Sequence, residues 1–128
     1  MSTHPEILVV DDEPMVCTFM QRILENHGYR VSTAHNGADA IGILVNRNGD
    51  FRLLVTDVLM PEMTGQALAN EAARLFPELP VLYVSGYFGD CATSIPADAF
   101  VPKPFTAAQF LARVGAIIPK PAAVLPVQ

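Results

Sequence analysis

The sequence predicts a doubly wound α/β domain, in which helices cover both faces of a five-stranded parallel sheet. Short apolar runs alternate along the chain with longer stretches in which apolar residues recur every three or four positions, an order typical of this class. The short runs are rich in Leu and Val without polar alternation, which indicates strands buried on both faces. With 128 residues the chain suffices for one domain and one sizeable core. We therefore expect a single sheet and a single functional site.

The first strand is predicted at residues 7–10, directly before the acidic turn Asp11-Asp12-Glu13. A helix follows, because Pro14 suits a first helical position and Gly28 is a stop signal. The apolar residues of this helix have the spacing of a face packed on a core. That face comprises Val16, Phe19, Met20, Ile23 and Leu24.

The second strand is predicted at residues 29–34, and Asn36 suits the N-cap of the helix after it. This helix should end before Asn48-Gly49. Its inward face is predicted to consist of Ala38, Ile41, Leu44 and Val45. Residues 53–57 form the third strand. The next helix is expected from about residue 66 to residue 76, because Pro77 disfavours its continuation.

The fourth strand is predicted at residues 81–84 and the fifth at residues 100–101. Residues 88–96 between them have weak periodicity, so the helix expected there is shortened or remodelled. Pro102 removes a ladder donor and therefore places the fifth strand at an edge, as in the flavodoxin-like strand order 2-1-3-4-5. A capping box at residues 106–109 opens the last helix. We expect the domain to span residues 1–118, followed by a Pro-rich tail at residues 119–128.

Composition excludes several classes of function. The net charge is -5, and the scattered Lys and Arg residues form no basic patch, so we expect no binding to nucleic acid. No apolar stretch approaches the length of a membrane span, and the start of the chain does not have the pattern of a signal peptide. We expect a cytoplasmic protein without membrane contact. Cys17 and Cys91 form no recognisable disulfide or metal-binding motif.

Polar residues follow four of the predicted strands, and all of them fall at the carboxyl edge of the sheet, where ligands bind in such folds. They are Asp11, Asp12, Asp57, Ser85 and Lys103. Two carboxylates about 4 Å apart repel by roughly 4 kcal/mol at an effective dielectric constant near 20. Mg2+ and a lysine ammonium would offset this repulsion, and a carboxylate can itself be the nucleophile toward a phosphoryl group. The set therefore predicts phosphoryl transfer to Asp57.

These motifs make the chain resemble the receiver domains of two-component response regulators over residues 5–118. The resemblance rests on motifs that are jointly specific and occur in the right order. They are Asp11-Asp12, Asp57 with Pro61 and Gly65 behind it, Ser85-Gly86, and Lys103-Pro104-Phe105. The receiver could belong to a stand-alone response regulator or to a hybrid histidine kinase, and no DNA-binding output domain is expected after it.

The resemblance implies that Asp57 accepts a phosphoryl group from a phosphohistidine of a sensor histidine kinase or a histidine phosphotransfer protein. Asp12, Asp57 and the Leu59 carbonyl would bind Mg2+ directly, and Asp11 would act through water. The domain would catalyse only its own phosphorylation and dephosphorylation, so it is not expected to be an enzyme in the usual sense. A downstream protein would read its state.

By the same resemblance, Ser85 and Lys103 hold the phosphoryl oxygens, and Lys103-Pro104 is a cis peptide. Ser85 and Phe100 would form the switch, although Phe100 stands where most receivers have Tyr. Signalling through its ring would therefore rest on packing alone. The interval from Ser85 to Lys103 is shorter than usual by about one helical turn of ~3.6 residues, which puts the usual output face in question.

Leu59 and Tyr87 lie two residues after Asp57 and Ser85, where side chains control the approach of hydrolytic water. Both are bulky, so we expect a long-lived aspartyl phosphate. Two other functions stay open. A magnesium-dependent phosphohydrolase would typically have a second acid at the position of Leu59. A degenerate receiver would act as a protein-interaction module without phosphorylation.

Overall fold

Five parallel strands form one sheet in the computed structural model, which describes residues 6–86 and 97–118. The strands are β1 Glu6–Val10, β2 Arg30–Ala34, β3 Leu53–Asp57, β4 Val81–Ser85 and β5 Phe100–Pro102. Their order is β2-β1-β3-β4-β5, and every neighbouring pair is parallel. The predicted fold class and strand order are confirmed, and Pro102 lies on the edge strand β5.

The described helices are α1 Pro14–Asn26, α2 Gly37–Asn46, α3 Gly65–Leu75 and α4 Ala107–Ile117, with a 3-10 helix at Ala97–Ala99. Local sequence explains where they begin. Pro14 is at the start of α1, and the Asn36 side chain accepts a hydrogen bond from the Asp39 amide. Thr106 and Gln109 form the predicted capping box of α4. The predicted short helix at residues 88–96 and the tail at residues 119–128 lie outside the described residues.

Two apolar clusters cover the two faces of the sheet, because successive strand residues point to opposite sides. The residues Ile7, Leu53 and Leu82 belong to the face packed against α1 and α4. Leu8 and Leu54 belong to the face packed against α2 and α3. Between these two helical layers the carboxyl ends of the strands lie at one edge of the sheet.

The inward face of α1 is rotated relative to the prediction. Phe19 is 47% exposed, whereas Cys17 is buried in the core with Met20 and Leu24. Those three residues follow the i, i+3, i+7 spacing of one helical stripe, which leaves Phe19 on the flank. There its ring lies 5.7 Å from the ring of Phe105.

A similar correction applies to α2, whose predicted inward residues Ala38 and Val45 are exposed. Ala40 and Leu44 point into the core instead, one turn apart on the same side of the helix. The predicted and the observed inward residues both have the spacing of one helical face, and only the orientation of the helix on the sheet decides which face is buried. Within the described ranges no helix combines the length and apolar character needed to cross a bilayer.

Candidate functional site

The strand register brings the predicted polar residues to one edge of the sheet. Asp57 ends β3 opposite Val84, and Ser85 ends β4 opposite Pro102. Lys103 follows Pro102 directly, and its amide donates to the Ser85 carbonyl at 3.0 Å. In this register Ser85 lies one residue, and Lys103 two residues, beyond the row of Asp57, so the polar residues gather at one edge of the sheet.

Three carboxylates converge at the junction of β1 and β3. Asp11, Asp12 and Asp57 each place one oxygen so that the three oxygens lie within 4.8 Å of one another. Asp11 and Asp57 are buried. Oxygen donors on three carboxylates, one of them partly open to solvent, suit a hard divalent cation such as Mg2+, which binds few carboxylates and retains waters. The residues present thus fit the ion that the sequence predicts.

Lys103 is the cation that the structure brings to this cluster. Its Nζ donates to Asp11 Oδ2 and to Asp57 Oδ2, each at 3.0 Å, and lies 3.8 Å from Glu13 Oε1. Burial acts to lower the pKa of Lys103, but the hydrogen bonds and the negative charges of Asp11 and Asp57 together outweigh burial and raise it. The ammonium therefore stays charged at neutral pH.

The two partners of the Lys103–Asp11 ion pair respond differently. Burial raises the pKa of Asp11, although the Glu13 amide and Lys103 both stabilise its charged form and lower that pKa in part. Lys103 has two hydrogen-bonded carboxylate partners, whereas Asp11 is wholly enclosed and lies close to a second carboxylate, Asp57. One ammonium does not fully compensate the buried negative charge, which favours a further cation at the site.

Two residues near Asp11 were missed as site residues by sequence reasoning. The Glu13 amide donates to Asp11 Oδ1 at 2.9 Å, and the Glu13 side chain faces Lys103 and makes no cap hydrogen bond to α1. His35 Nδ1 lies 3.1 Å from the Asp11 carbonyl. Because a carbonyl only accepts, Nδ1 is the donor in this bond. The acidic run signalled Glu13, but nothing in the sequence pattern signals His35.

The loop between β3 and α3 is folded tightly around Asp57. The Gly65 amide donates to the Val58 carbonyl at 2.8 Å, and the Leu59 amide donates to Asp57 Oδ1 at 3.3 Å. A Cβ added to Gly65 would lie only 2.0 Å from the Asp57 carbonyl oxygen. Glycine is therefore required at residue 65 for close approach and not for positive φ.

The remaining predicted residues lie around this centre. Ser85 is buried at the end of β4, next to Lys103, and Phe100 is half-buried on β5 opposite Tyr83. The Lys103-Pro104 peptide is cis, as predicted. The side chain of Leu59 is 46% exposed above the site, and a role of its carbonyl as a metal ligand stays a prediction. Tyr87 lies outside the described residues.

A family model for the response regulator receiver domain matches residues 7–115. The chain belongs to this family. Among curated proteins, this receiver domain is 36% identical over 124 residues to the sensor kinase CckA of Brucella abortus, covering 94% of the chain and 13% of that kinase. It is 31% identical to the response regulator SaeR of Staphylococcus aureus (strain USA300), covering 91% of the chain and 50% of that regulator. The chain thus spans half or less of the length of these two relatives.

Solved receiver structures confirm the fold. The receiver domain of the hybrid histidine kinase CckA is 31% identical with a TM-score of 0.76, covering 88% of this chain and 98% of that one. A response regulator receiver domain protein from Clostridium thermocellum is 26% identical with a TM-score of 0.79, covering 89% and 94%. Receiver domains are signalling modules of two-component systems, and this one has such a role.

Proposed function

We propose that this receiver domain is a phosphorylation-dependent switch, in which Asp57 accepts a phosphoryl group from a phosphohistidine. The donor would be a sensor histidine kinase or a histidine phosphotransfer protein. The observation that supports this proposal best is the Lys103 ammonium, which bridges Asp11 and Asp57 at 3.0 Å beside a third carboxylate. A fixed ammonium at a nucleophilic carboxylate neutralises the charge that builds up when phosphorus approaches.

In the proposed transfer, an Asp57 carboxylate oxygen attacks the phosphorus of the phosphohistidine. The new P–O bond forms as the P–N bond breaks, and the imidazole nitrogen keeps the electron pair. The chain's task is positioning and charge neutralisation, because the loose transition state of phosphoryl transfer needs little covalent help. The Leu59 amide lies 3.3 Å from Oδ1 and Lys103 binds Oδ2, so both carboxylate oxygens of Asp57 are oriented before a donor arrives.

The acidic cluster would hold Mg2+, with Asp12, Asp57 and the Leu59 carbonyl as the residues that would bind it directly, while Asp11 would act through water. When bound, the ion would neutralise carboxylate and phosphoryl charge at once. Asp11 also receives the Glu13 amide and Lys103, so its carboxylate is held in one orientation for that role.

Lys103 and the Ser85 hydroxyl would hold the phosphoryl oxygens after transfer. Phe100 has no hydroxyl, so we propose that its ring reports the change at Ser85 by repacking alone, and that a downstream protein reads the altered surface. Return to the resting state would occur by hydrolysis of the aspartyl phosphate within the domain. We place this cycle in the cytoplasm.

The test is intact-mass measurement after incubation with acetyl phosphate, with and without Mg2+. We expect one phosphoryl adduct on the wild type that requires Mg2+, and none on Asp57→Ala. Asp50→Ala, which removes an exposed aspartate in the loop before β3, should be modified like the wild type. A wild type that stays unmodified with Mg2+ present would refute the switch and favour the protein-interaction module.

A further inference from the structure

Thr56 is a polar residue in the middle of an apolar cluster. It precedes Asp57 on β3 and is fully buried. Strand alternation puts it on the face of Leu54, which packs against α2 and α3. Val has the same shape and would fill this space without a polar atom to desolvate. The hydroxyl therefore needs an explanation other than packing.

The partner of the buried hydroxyl is the carbonyl of the acceptor residue itself. Thr56 Oγ1 donates to the Asp57 carbonyl oxygen at 3.0 Å, and the Met60 sulfur lies 3.9 Å from the same hydroxyl. One side chain thus contacts the last residue of β3 and, three residues further on, the loop that follows. A buried hydroxyl that donates to a good acceptor is stabilising, and removing the hydroxyl would take this donor away from the Asp57 carbonyl.

Gly65 packs against the same peptide. Gly65 packs so closely under the Asp57 carbonyl that no Cβ fits, and its amide donates to the next carbonyl, that of Val58. The Thr56 hydroxyl and Gly65 therefore fix two successive carbonyl groups between them. The orientation of these carbonyls sets the direction in which the chain continues to Leu59.

We propose that Thr56 is a positioning residue for the metal site, acting through the loop from Val58 to Met60. Its hydroxyl holds the Asp57–Val58 peptide in the orientation that lets the Asp57 carboxylate and the Leu59 carbonyl bind one cation together. This inference rests on the proposed function and adds to it a residue that touches neither metal nor phosphoryl group. Residues that orient metal ligands in this way commonly matter nearly as much as the ligands.

The experiment compares Thr56→Val, which removes only the hydroxyl, with Thr56→Ser, which restores it, and with Thr33→Val, the same change at a partly buried threonine on β2, as a control. Titration calorimetry measures Mg2+ affinity. We expect Thr56→Val to bind about 10-fold more weakly than the wild type, and Thr56→Ser and Thr33→Val to stay within about twofold. Amide hydrogen exchange of the metal-free proteins gives a second readout: the Gly65 amide should exchange faster in Thr56→Val only.

The outcomes separate this inference from the function on which it rests. If the wild type and Thr56→Val bind Mg2+ equally, the switch stands and the role of Thr56 is overturned. If Thr33→Val weakens binding as much as Thr56→Val does, the effect is general destabilisation and the inference also fails. If the wild type binds no Mg2+ and acquires no phosphoryl group, the proposed function fails and takes the role of Thr56 with it.

Discussion

Gly65→Ala tests whether close packing under Asp57 holds the acceptor in place. The new Cβ would lie 2.0 Å from the Asp57 carbonyl oxygen, 2.9 Å from its carbonyl carbon and 3.1 Å from Val58 Cα. Ordinary contacts between heavy atoms are about 3.5–4.0 Å, so the strand end and the start of α3 must separate by roughly 1.5 Å. All three atoms belong to the backbone, and no side-chain rotation can relieve the clash.

The expected loss of stability follows from two opposing effects. Overpacking a tight contact costs about 1–3 kcal/mol, and Ala in a helix gains about 1 kcal/mol over Gly. Gly65 is the first residue of α3 and has no positive φ, so Gly65→Ala gains part of this helix propensity. We expect a net loss of about 1–2 kcal/mol in the free energy of unfolding. A displacement of about 1 Å at the nucleophile should also slow phosphorylation by acetyl phosphate by about 100-fold.

Urea denaturation and intact-mass kinetics measure the two effects. The matched control is Gly42→Ala in α2, where an added Cβ meets no atom within 4 Å. Because only helix propensity changes there, this variant should be more stable than the wild type by about 0.5–1 kcal/mol and phosphorylated at the wild-type rate. The reasoning is wrong if Gly65→Ala is as stable as Gly42→Ala, or if it is phosphorylated as fast as the wild type.

Three further predictions concern the charges and the opening of the site. Lys103→Met should lower the free energy of unfolding by about 1–3 kcal/mol in the absence of metal, since it leaves buried carboxylates uncompensated, and Mg2+ should restore much of the loss. Asp11→Asn should stabilise the metal-free protein at neutral pH. Because the pKa of Asp11 is raised in the folded state, its protonated carboxyl group favours folding at low pH, and this contribution to stability is lost as pH rises through the folded-state pKa. Leu59→Asn should speed hydrolysis of the aspartyl phosphate, because a smaller polar side chain admits water, as followed by loss of the phosphoryl adduct in intact-mass spectra.

Each of these three predictions has a control and a contrary outcome. Arg22→Met removes an exposed cation and should leave stability unchanged; equal effects from Arg22→Met and Lys103→Met would contradict the ion-pair argument. For Asp11→Asn, the stabilisation should vanish in acid, and a gain that persists there would have another origin. Val45→Asn changes an exposed apolar residue far from the site and should leave the hydrolysis rate unchanged. If Leu59→Asn also leaves that rate unchanged, Leu59 does not control the access of water to the aspartyl phosphate.

The sequence predicted the fold well because its strongest signals are local. Continuous apolar runs indicate buried strands wherever they occur, and Asn36 and Thr106 cap helices through atoms only three residues away. Helix faces were less predictable. For α1, Phe19 and Cys17 lie on adjacent sides, and the sheet and α4 decide which side is inside. Apolar spacing alone does not contain that information.

For the functional site too, some features followed from the sequence and others only from the tertiary structure. The sequence by itself determined which residues can meet, because parallel strands bring their carboxyl ends to one edge: Asp11, Asp57 and Lys103 follow three different strands. Only the tertiary structure decided how they meet. The bridge from Lys103 to both aspartates and the contact of Gly65 with the Asp57 carbonyl depend on how closely the backbone and side chains approach one another. Packing across the sheet and around its loops sets such distances, whereas residue order sets only the candidates.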